Sequence, residues 1–329
     1  MDFSHLDAMS GAYQEARILQ TAVELDLFPA IGDGADSAAV AAARGLEPRA
    51  CELFLNALVA VELLEKADGV FTLAAVSRAY LLPDSATYFG HMVGFESDGW
   101  HLWTHLGEAL KTGAPVRTPD MWQRNPEDTR RFIMAMHSLV SARGDADFLA
   151  GILDLTGVSR LLDVGSGPGT YPIALCKRHP ELSATIFDLP GTLGVTKDVL
   201  VAEGMDRRIE LVGGDYNQDP LPGGFDAVFL SNIIHGEDDA GVKGLIAKCF
   251  DALVPGGRII VKDHILNREK THPACGAVFS LHMLLATRGR DYSFDEVAGW
   301  MADAGFAAPT ETPLSPTLPS SLMVASRPL

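Results

Sequence analysis

The sequence predicts a two-domain protein, in which an α/β domain with a parallel sheet follows an N-terminal all-helical domain of winged-helix type. Its 329 residues correspond to two domains of roughly 150 residues each. From residue 159 onward, strand and helix patterns alternate, as in parallel sheets covered by helices. The preceding N-terminal part shows helical periodicity and ends in a short wing. We therefore expect domains at 1–95 and 96–329, the second beginning with a helical connector and having its α/β core at 151–329.

The N-terminal domain is predicted from three helical segments, 12–28, 36–44 and 47–65, followed by a hairpin that turns at Asp68-Gly69 and continues at 70–73. This order of elements occurs in DNA-binding proteins and in dimerisation modules. The first hundred residues contain five basic and fifteen acidic residues. An acidic surface repels phosphate, so we expect dimerisation rather than DNA recognition.

The α/β domain is predicted from six apolar runs and the helices between them. Five runs give the strands of the alternating pattern, and the sixth follows a Pro-rich turn and could return antiparallel. Late helices are expected near 274–287 and 293–304, and the segment 96–150 is expected to be helical. The predicted strands are 160–165, 183–189, 209–214, 225–231, 258–264 and 321–326.

Composition excludes several classes of protein. The net charge of −17, from 26 basic and 43 acidic residues, argues against nucleic-acid binding. No run of about 18 apolar residues is present, so a membrane span is not expected. The N-terminus lacks the features of a signal peptide, which predicts a cytoplasmic protein. Four widely spaced cysteines predict reduced thiols and no zinc site.

A glycine-rich turn directly follows the first predicted strand of the α/β domain. Gly165, Gly167 and Gly169 allow a tight turn and a close approach of the backbone to a ligand. The dinucleotide fingerprint requires glycine at the sixth position, where this chain has Thr170, so a nicotinamide oxidoreductase is disfavoured.

Two acidic residues end the next two predicted strands. Asp188 could accept both hydroxyls of a ribose, and Asp215 could accept the exocyclic amine of adenine while Tyr216 packs on the ring. The alternatives are a helix cap or solvated loop residue for Asp188 and a strand-end cap for Asp215. The turn offers no Lys or Arg suited to a pyrophosphate, and a nucleoside with a cationic group, S-adenosylmethionine, suits it better.

The motifs LLDVGSGPG, TIFDLP, VGGDY, LSNIIH, LVPGGRIIVKDHIL and ATRGRDYSFDEVAGWMADAGF together resemble the caffeic-acid-type O-methyltransferases over nearly the whole chain. The resemblance implies a class I methyltransferase fold with a Rossmann-like sheet of seven strands, a homodimer formed by the N-terminal domain, and S-adenosylmethionine as the methyl donor. It implies transfer to a hydroxyl of a small aromatic acceptor. The predicted cofactor-binding residues are Asp163, Gly165, Ser166, Gly167, Gly169, Asp188, Leu189, Gly214, Asp215, Tyr216 and Ser231.

The resemblance also assigns catalytic residues. It places the general base at His235, just past the fourth strand, and two flanking carboxylates at Asp263 and Asp291. The family has glutamates at both flanking positions, so these side chains are one methylene shorter. The family's base is usually followed by Asp-Trp, whereas this chain has Gly236-Glu237, and Glu237 could serve as an alternative carboxylate partner. Without the resemblance, Asp263 could form a strand-end salt bridge, and Asp291 could cap the helix near 293.

The predicted acceptor pocket combines aromatic, methionine and histidine side chains, which suits a flat phenolic or quinone-like ring. His264 and His282 are spaced too loosely in the sequence for a metal site, and we expect no metal. The predicted lining residues are Phe132, Met136, His137, His282 and Met283, with Met134 also considered.

Two alternatives stay open from the sequence. The departures from the family pattern are compatible with a relative that binds S-adenosylmethionine for hydroxylation, decarboxylation or pericyclic chemistry. A winged-helix regulator is the second alternative, but helix 47–65 is acidic. The sequence does not distinguish methylation of oxygen from that of carbon or nitrogen, nor does it identify the acceptor.

Overall fold

The computed structural model describes residues 2–315 and 318–329. The chain forms two compact units. The first runs to Trp100 and takes in Met134–Arg143, and the second comprises His101–Ile133 and Gly144–Leu329. The division after Trp100 lies close to the predicted boundary after residue 95. The predicted connector contributes residues to both units.

The first unit contains the predicted hairpin and the predicted helix 36–44, but the predicted helix 12–28 is divided into two at Asp26, whose φ is positive. The predicted helix 47–65 ends at Ala60, and a strand begins at Leu64. Helix α4 begins where the Asp36 carboxylate accepts a hydrogen bond from the Ala39 N–H, and α5 begins after Glu47 with a proline in its first turn. A two-residue strand pairs with the hairpin into a three-stranded antiparallel sheet, so the unit is not entirely helical. The winged-helix assignment stays a prediction. The last helix of this unit, α7, extends four residues into the second unit. The elements are α1 (Phe3–Gly11), α2 (Tyr13–Glu24), α3 (Leu27–Ile31), β1 (Ala35–Asp36), α4 (Ser37–Arg44), α5 (Pro48–Ala60), β2 (Leu64–Ala67), β3 (Val70–Leu73), α6 (Ala75–Tyr80) and α7 (Gly90–Thr104).

The segment before the α/β core is helical, as predicted, except for residues 113–125, which form a loop. It consists of α8 (Leu106–Thr112), α9 (Pro126–Arg143) and α10 (Asp145–Ile152). The loop between α8 and α9 lies in the second unit and supplies several of the side chains described below.

The second unit contains the predicted α/β core. Its elements are β4 (Arg160–Val164), α11 (Thr170–Arg178), β5 (Ser183–Asp188), α12 (Pro190–Ala202), β6 (Ile209–Gly213), β7 (Phe225–Ser231), a 3₁₀ turn (Ile234–Gly236), α13 (Asp239–Ala252), β8 (Leu253–Asp263), β9 (Ile265–Leu266), α14 (Ala274–Ala286), β10 (Tyr292–Ser293), α15 (Phe294–Asp303), β11 (Ala307–Ser315) and β12 (Leu318–Ser326).

Seven strands form the main sheet in the order β11-β12-β8-β7-β4-β5-β6. The pairs among β4 to β8 are parallel, whereas β12 runs antiparallel to both β8 and β11. The parallel core, the seven strands and the antiparallel return are therefore confirmed. Strand β11 escaped prediction because Pro309 and Pro313 interrupt its sequence; it is an edge strand, where proline is tolerated.

The central strands β4, β5, β7 and β8 are buried along nearly their whole length. This burial explains why they are continuous apolar runs rather than alternating ones. Among the described residues, no helix combines the length and the apolar character needed to cross a bilayer.

The order of the strands determines where a ligand can bind. Strand β4 lies between β5 and β7, so the strand order reverses at β4: β5 and β6 extend the sheet on one side of it, and β7 and β8 extend the sheet on the other. In open α/β sheets, ligands bind at the carboxyl ends of the strands beside such a reversal. Most of the predicted site residues follow these strand ends.

Candidate active site

The glycine-rich turn adopts the backbone that its sequence predicts. Gly165, Gly167 and Gly169 have φ of +70°, +60° and +78°, in the region that favours glycine. A Cβ at position 165 would lie 2.5 Å from the Ile233 side chain. The turn then leads directly into α11, so its N–H groups face the ends of the central strands.

Asp188 anchors this turn to the end of β5. Its carboxylate accepts hydrogen bonds from the N–H groups of Gly167 (2.8 Å) and Leu189 (2.7 Å). Burial raises the pKa of Asp188 to about 6, although these hydrogen bonds favour the ionised form. Each carboxylate oxygen accepts one of these bonds and has a further lone pair, as binding to a ribose would require.

Two buried polar atoms at neighbouring strand ends have no hydrogen-bond partner among the described residues. They are Oδ1 of Asp163 on β4 and Oγ of Ser231 on β7. The other oxygen of Asp163 accepts a hydrogen bond from Ser166 Oγ at 2.6 Å. Burial raises the pKa of Asp163 to about 7. Buried polar atoms without partners are expected where a polar ligand binds.

The predicted adenine contacts have a different local arrangement. Asp215 accepts hydrogen bonds from the Asn217 N–H (2.9 Å) and from Gln218 Nε2 (2.8 Å), so its carboxylate stabilises its own turn. The Tyr216 hydroxyl donates to Glu237 Oε1 at 2.9 Å. A Cβ on Gly214 would overlap the Phe187 ring, so this position needs glycine. The adenine role of Asp215 and Tyr216 stays a prediction.

His235 lies in the 3₁₀ turn after β7 and faces Asp263 at the end of β8. The distance from His235 Nδ1 to Asp263 Oδ1 is 2.7 Å, and the His264 N–H donates to the same oxygen at 2.9 Å. Burial alone would lower the pKa of His235, but the charge and hydrogen bond of Asp263 raise it above its ordinary value. Because Nδ1 carries the proton toward Asp263, Nε2 of a neutral ring can accept another.

Asp291 contacts a second histidine. Its Oδ2 lies 3.4 Å from His264 Nδ1, and among the described residues neither of its oxygens has a hydrogen bond of good geometry. Burial raises the pKa of Asp291. The two expected flanking carboxylates thus separate, Asp263 binding His235 directly and Asp291 facing His264.

Glu237 is not a partner of His235, contrary to the alternative raised by the sequence. Its Oε1 accepts hydrogen bonds from the Tyr216 hydroxyl and from Asn217 Nδ2 at 3.0 Å. This carboxylate therefore joins the ends of β6 and β7. The alternative cap at Asp291 is also wrong, because Ser293 caps α15 together with Glu296.

Phe279 on α14 is the centre of a histidine cluster that sequence reasoning missed. The His235 and His264 rings meet it edge-on at 5.0 and 5.1 Å, and His282 stacks on it at 5.6 Å with an interplanar angle of 13°. Residues 279 and 282 are three apart on one helix and share a face. That spacing was the available signal, since His282 was predicted to line the acceptor pocket.

The remaining predicted pocket residues are divided between the units. Phe132 stacks on Trp122 with ring centroids 4.2 Å apart, and Met283 is buried next to His282 on α14. Met136 and His137, like Met134, belong to the first unit. A contribution of these three to the acceptor pocket stays a prediction.

The ligand atoms of His235, Asp263 and Asp291 lie within 4.8 Å of one another. Three such groups can share one cation, although the sequence predicted no metal cluster. The same short distances let the charges of both carboxylates stabilise the protonated form of His235. No metal is part of the function proposed below.

Two family profiles match the chain. One, described as the O-methyltransferase dimerisation domain, matches residues 7–83, and the other, described as the O-methyltransferase domain, matches residues 106–307. Together they cover most of both units.

Individual relatives agree with these profiles. The 3-hydroxy-5-methyl-1-naphthoate 3-O-methyltransferase of Streptomyces sahachiroi is 35% identical over 91% of this chain and 88% of its own. The tetracenomycin polyketide synthesis 8-O-methyl transferase TcmO of Streptomyces glaucescens is 31% identical over 96% of this chain and 94% of its own. The structure of PigF with SAH is 27% identical and has a TM-score of 0.89, covering 99% of this chain and 100% of PigF.

Proposed function

The chain belongs to the O-methyltransferase family and uses S-adenosylmethionine, and we propose that it methylates a hydroxyl of a small aromatic acceptor with His235 as the general base. The observation that carries this proposal is the 2.7 Å contact between His235 and Asp263, at the sheet edge that also holds the glycine turn and Asp188.

The residues at the strand ends fit the methyl donor. Asp188 would hold the ribose hydroxyls, and the turn at Gly165–Gly169 would lie against the donor. Asp163 and Ser231 each offer a buried oxygen that has no partner within the described part of the chain. When bound, S-adenosylmethionine supplies a methyl group on a cationic sulfur. Asp215 and Tyr216 complete the proposed set at the adenine end.

His235 would remove the proton of the acceptor hydroxyl. Asp263 fixes the ring with Nδ1 protonated, which leaves Nε2 to accept that proton, and it then stabilises the imidazolium. A general base in such a position contributes about 10² to 10⁴ in rate. Asp291 would act on the same cluster through His264.

The acceptor is proposed to be a flat ring bound among aromatic side chains. Phe279 and His282 provide one stacked pair, and Trp122 with Phe132 provides another. The names of the two Streptomyces relatives state a hydroxynaphthoate and the synthesis of a polyketide, and we propose an aromatic acceptor similar to the first. All three relatives described above are methyltransferases, which favours methyl transfer over the non-methylating alternatives.

We also propose a homodimer formed by the first unit, in agreement with the match to the dimerisation profile. A cytoplasmic location and the absence of nucleic-acid or membrane partners stay predictions from the sequence.

Incubation with methyl-labelled S-adenosylmethionine and a panel of phenols and hydroxynaphthalenes tests the proposal. We expect label in an aryl methyl ether, and Asp188→Ala should abolish product because the donor no longer binds. Transfer of label to no member of the panel, or a hydroxylated or decarboxylated product without label, would contradict it.

A further inference from the structure

Arg117 carries a buried guanidinium nitrogen that lacks an acceptor. Its Nη2 donates to Asp120 Oδ1 at 2.7 Å, but Nη1 is buried and has no hydrogen-bond partner among the described residues. A buried guanidinium N–H without a hydrogen bond costs desolvation free energy, so such a group is normally bonded to protein, water or a ligand. An oxygen that is not part of the chain is therefore expected beside Nη1.

The guanidinium is held in a fixed plane. Its central carbon lies 4.0 Å from the centre of the Trp122 ring, and Trp122 stacks on Phe132 at an angle of 10°. Asp120 Oδ1 also accepts a hydrogen bond from the backbone N–H of Trp122 at 3.1 Å, so the same carboxylate holds the guanidinium and the backbone that carries the ring. Nη1 consequently has a defined direction rather than the freedom of a surface side chain.

Arg117 is close to the proposed acceptor site. The Val116 N–H donates to the Leu285 carbonyl at the end of α14 at 3.0 Å, one turn beyond His282. Burial lowers the pKa of His282, and the charges of His235 and Arg117 lower it further, so His282 interacts electrostatically with each of these two groups. His282 stacks on Phe279, whose edge contacts the His235 ring.

We propose that Arg117 Nη1 binds an ionised carboxylate on the ring of the acceptor, so that the enzyme acts on hydroxyaryl carboxylic acids. This inference rests on the proposed function and names its substrate class. A carboxylate oxygen is the partner that a guanidinium binds most strongly, through a charge-assisted hydrogen bond. The charges of Arg117 and His235 both act on His282, so an acid group held by Arg117 would keep the aromatic ring, and its hydroxyl, beside the base. A neutral phenol would lack that anchor.

The test compares 3-hydroxy-1-naphthoate with its neutral isostere 3-hydroxy-1-naphthamide. For the wild-type protein we expect the acid to bind and to be methylated with a Kd and a KM at least about tenfold lower than those of the amide. Binding is followed by calorimetry with S-adenosylhomocysteine present, so a result is obtained even where no methyl is transferred.

Arg117→Gln should remove the preference, bringing the Kd and KM of the acid to within about twofold of those of the amide. The matched control is Arg124→Gln, because Arg124 lies 3.9 Å from the same Asp120 but is mostly exposed; it should keep the preference. Arg117→Lys serves if the glutamine variant does not fold, and it should keep part of the preference.

Equal affinity of the wild-type protein for acid and amide would overturn the inference. So would an Arg117 variant that loses both compounds equally, since that indicates only a structural role. A failure of the proposed function gives a different result from these two outcomes. In that case the acid still binds more tightly than the amide, but no labelled ether forms from any phenol.

Discussion

At the scale of single residues, the bond from His235 to Asp263 sets the pH at which the proposed base is available. The base must be neutral, so kcat/KM should rise as pH passes through the pKa of His235. Burial would lower that pKa, and Asp263 raises it above its ordinary value. Asp263→Asn removes the charge and the hydrogen bond that raise this pKa most, while burial and the Lys262 charge still lower it and only the Asp291 charge still raises it. The rising limb should therefore move to lower pH while the maximal rate falls between about 10- and 10⁴-fold.

The measurement is the pH profile of kcat/KM for both proteins. Asp295→Asn is a suitable control, because its carboxylate is exposed and lies 3.9 Å from Arg268; its limb should not move. A limb that stays in place in Asp263→Asn would show that Asp263 does not control the titration of the base.

At the scale of elements, the end of β4 carries a carboxylate that destabilises the fold. Burial raises the pKa of Asp163 from an ordinary value of 3.8 to about 7. Between these values the folded chain binds more protons than the unfolded chain, so the free energy of unfolding falls as pH rises from about 4 to about 7. Asp163→Asn should remove this dependence and stabilise the ligand-free protein at pH 8 by about 1–4 kcal/mol.

Denaturant unfolding at pH 5 and pH 8 checks this prediction. Asp206→Asn, at an exposed position, is the control and should retain the pH dependence of the wild type. If the free energy of unfolding falls by the same amount from pH 5 to pH 8 in Asp163→Asn and in the wild type, the buried Asp163 carboxylate does not destabilise the folded protein at high pH.

The turn after β4 offers a second prediction at the same scale. Gly165→Ala would introduce both a left-handed alanine and a Cβ 2.5 Å from the Ile233 side chain. Gly157 also has a positive φ, of +77°, but a Cβ there meets nothing within 4 Å. We expect Gly157→Ala to cost about 1–2 kcal/mol of unfolding free energy and Gly165→Ala about 1–3 kcal/mol more. Equal costs in thermal or denaturant unfolding would show that the close approach at Gly165 is not tight.

The elements differ in how far the sequence predicts them. Strands such as β5 and β7 are continuous apolar runs bounded by turns, so their composition indicates them directly. Strand β11 is exposed and contains prolines, and only its pairing with β12 makes it a strand. Hydrogen bonding to β12 overrides local propensity there.

The residues of the site also differ in how far the sequence predicts their positions. Asp188, Asp263 and His235 follow strand ends, and the topology brings them to one edge of the sheet. The pairing of Asp291 with His264, and the role of Phe279 between three histidines, depend on side-chain contacts between distant segments. Spacing along the sequence indicates only the contact of Phe279 with His282 within α14, and not the contacts between separate segments.

At the scale of the whole molecule, the N-terminal helix α1 carries exposed apolar side chains. Phe3, Leu6 and Met9 are 78%, 57% and 58% exposed, and the profile for the dimerisation domain begins at residue 7. Exposed apolar residues on one side of a helix favour burial against a second chain. We expect a dimer in sedimentation analysis and a shift to monomer in the double variant Leu6→Glu and Met9→Glu. Ser4→Glu, on the other side of α1, should stay dimeric, and a monomeric wild type would contradict the proposal.

The central claim is that one histidine removes the proton while other residues hold the donor. The most direct measurement compares His235→Ala with the wild type for affinity toward S-adenosylmethionine and for the rate of methyl transfer at saturating donor. We predict an affinity within about twofold of the wild type and a rate at least about 10² lower. A variant that transfers methyl groups at the wild-type rate would contradict this assignment.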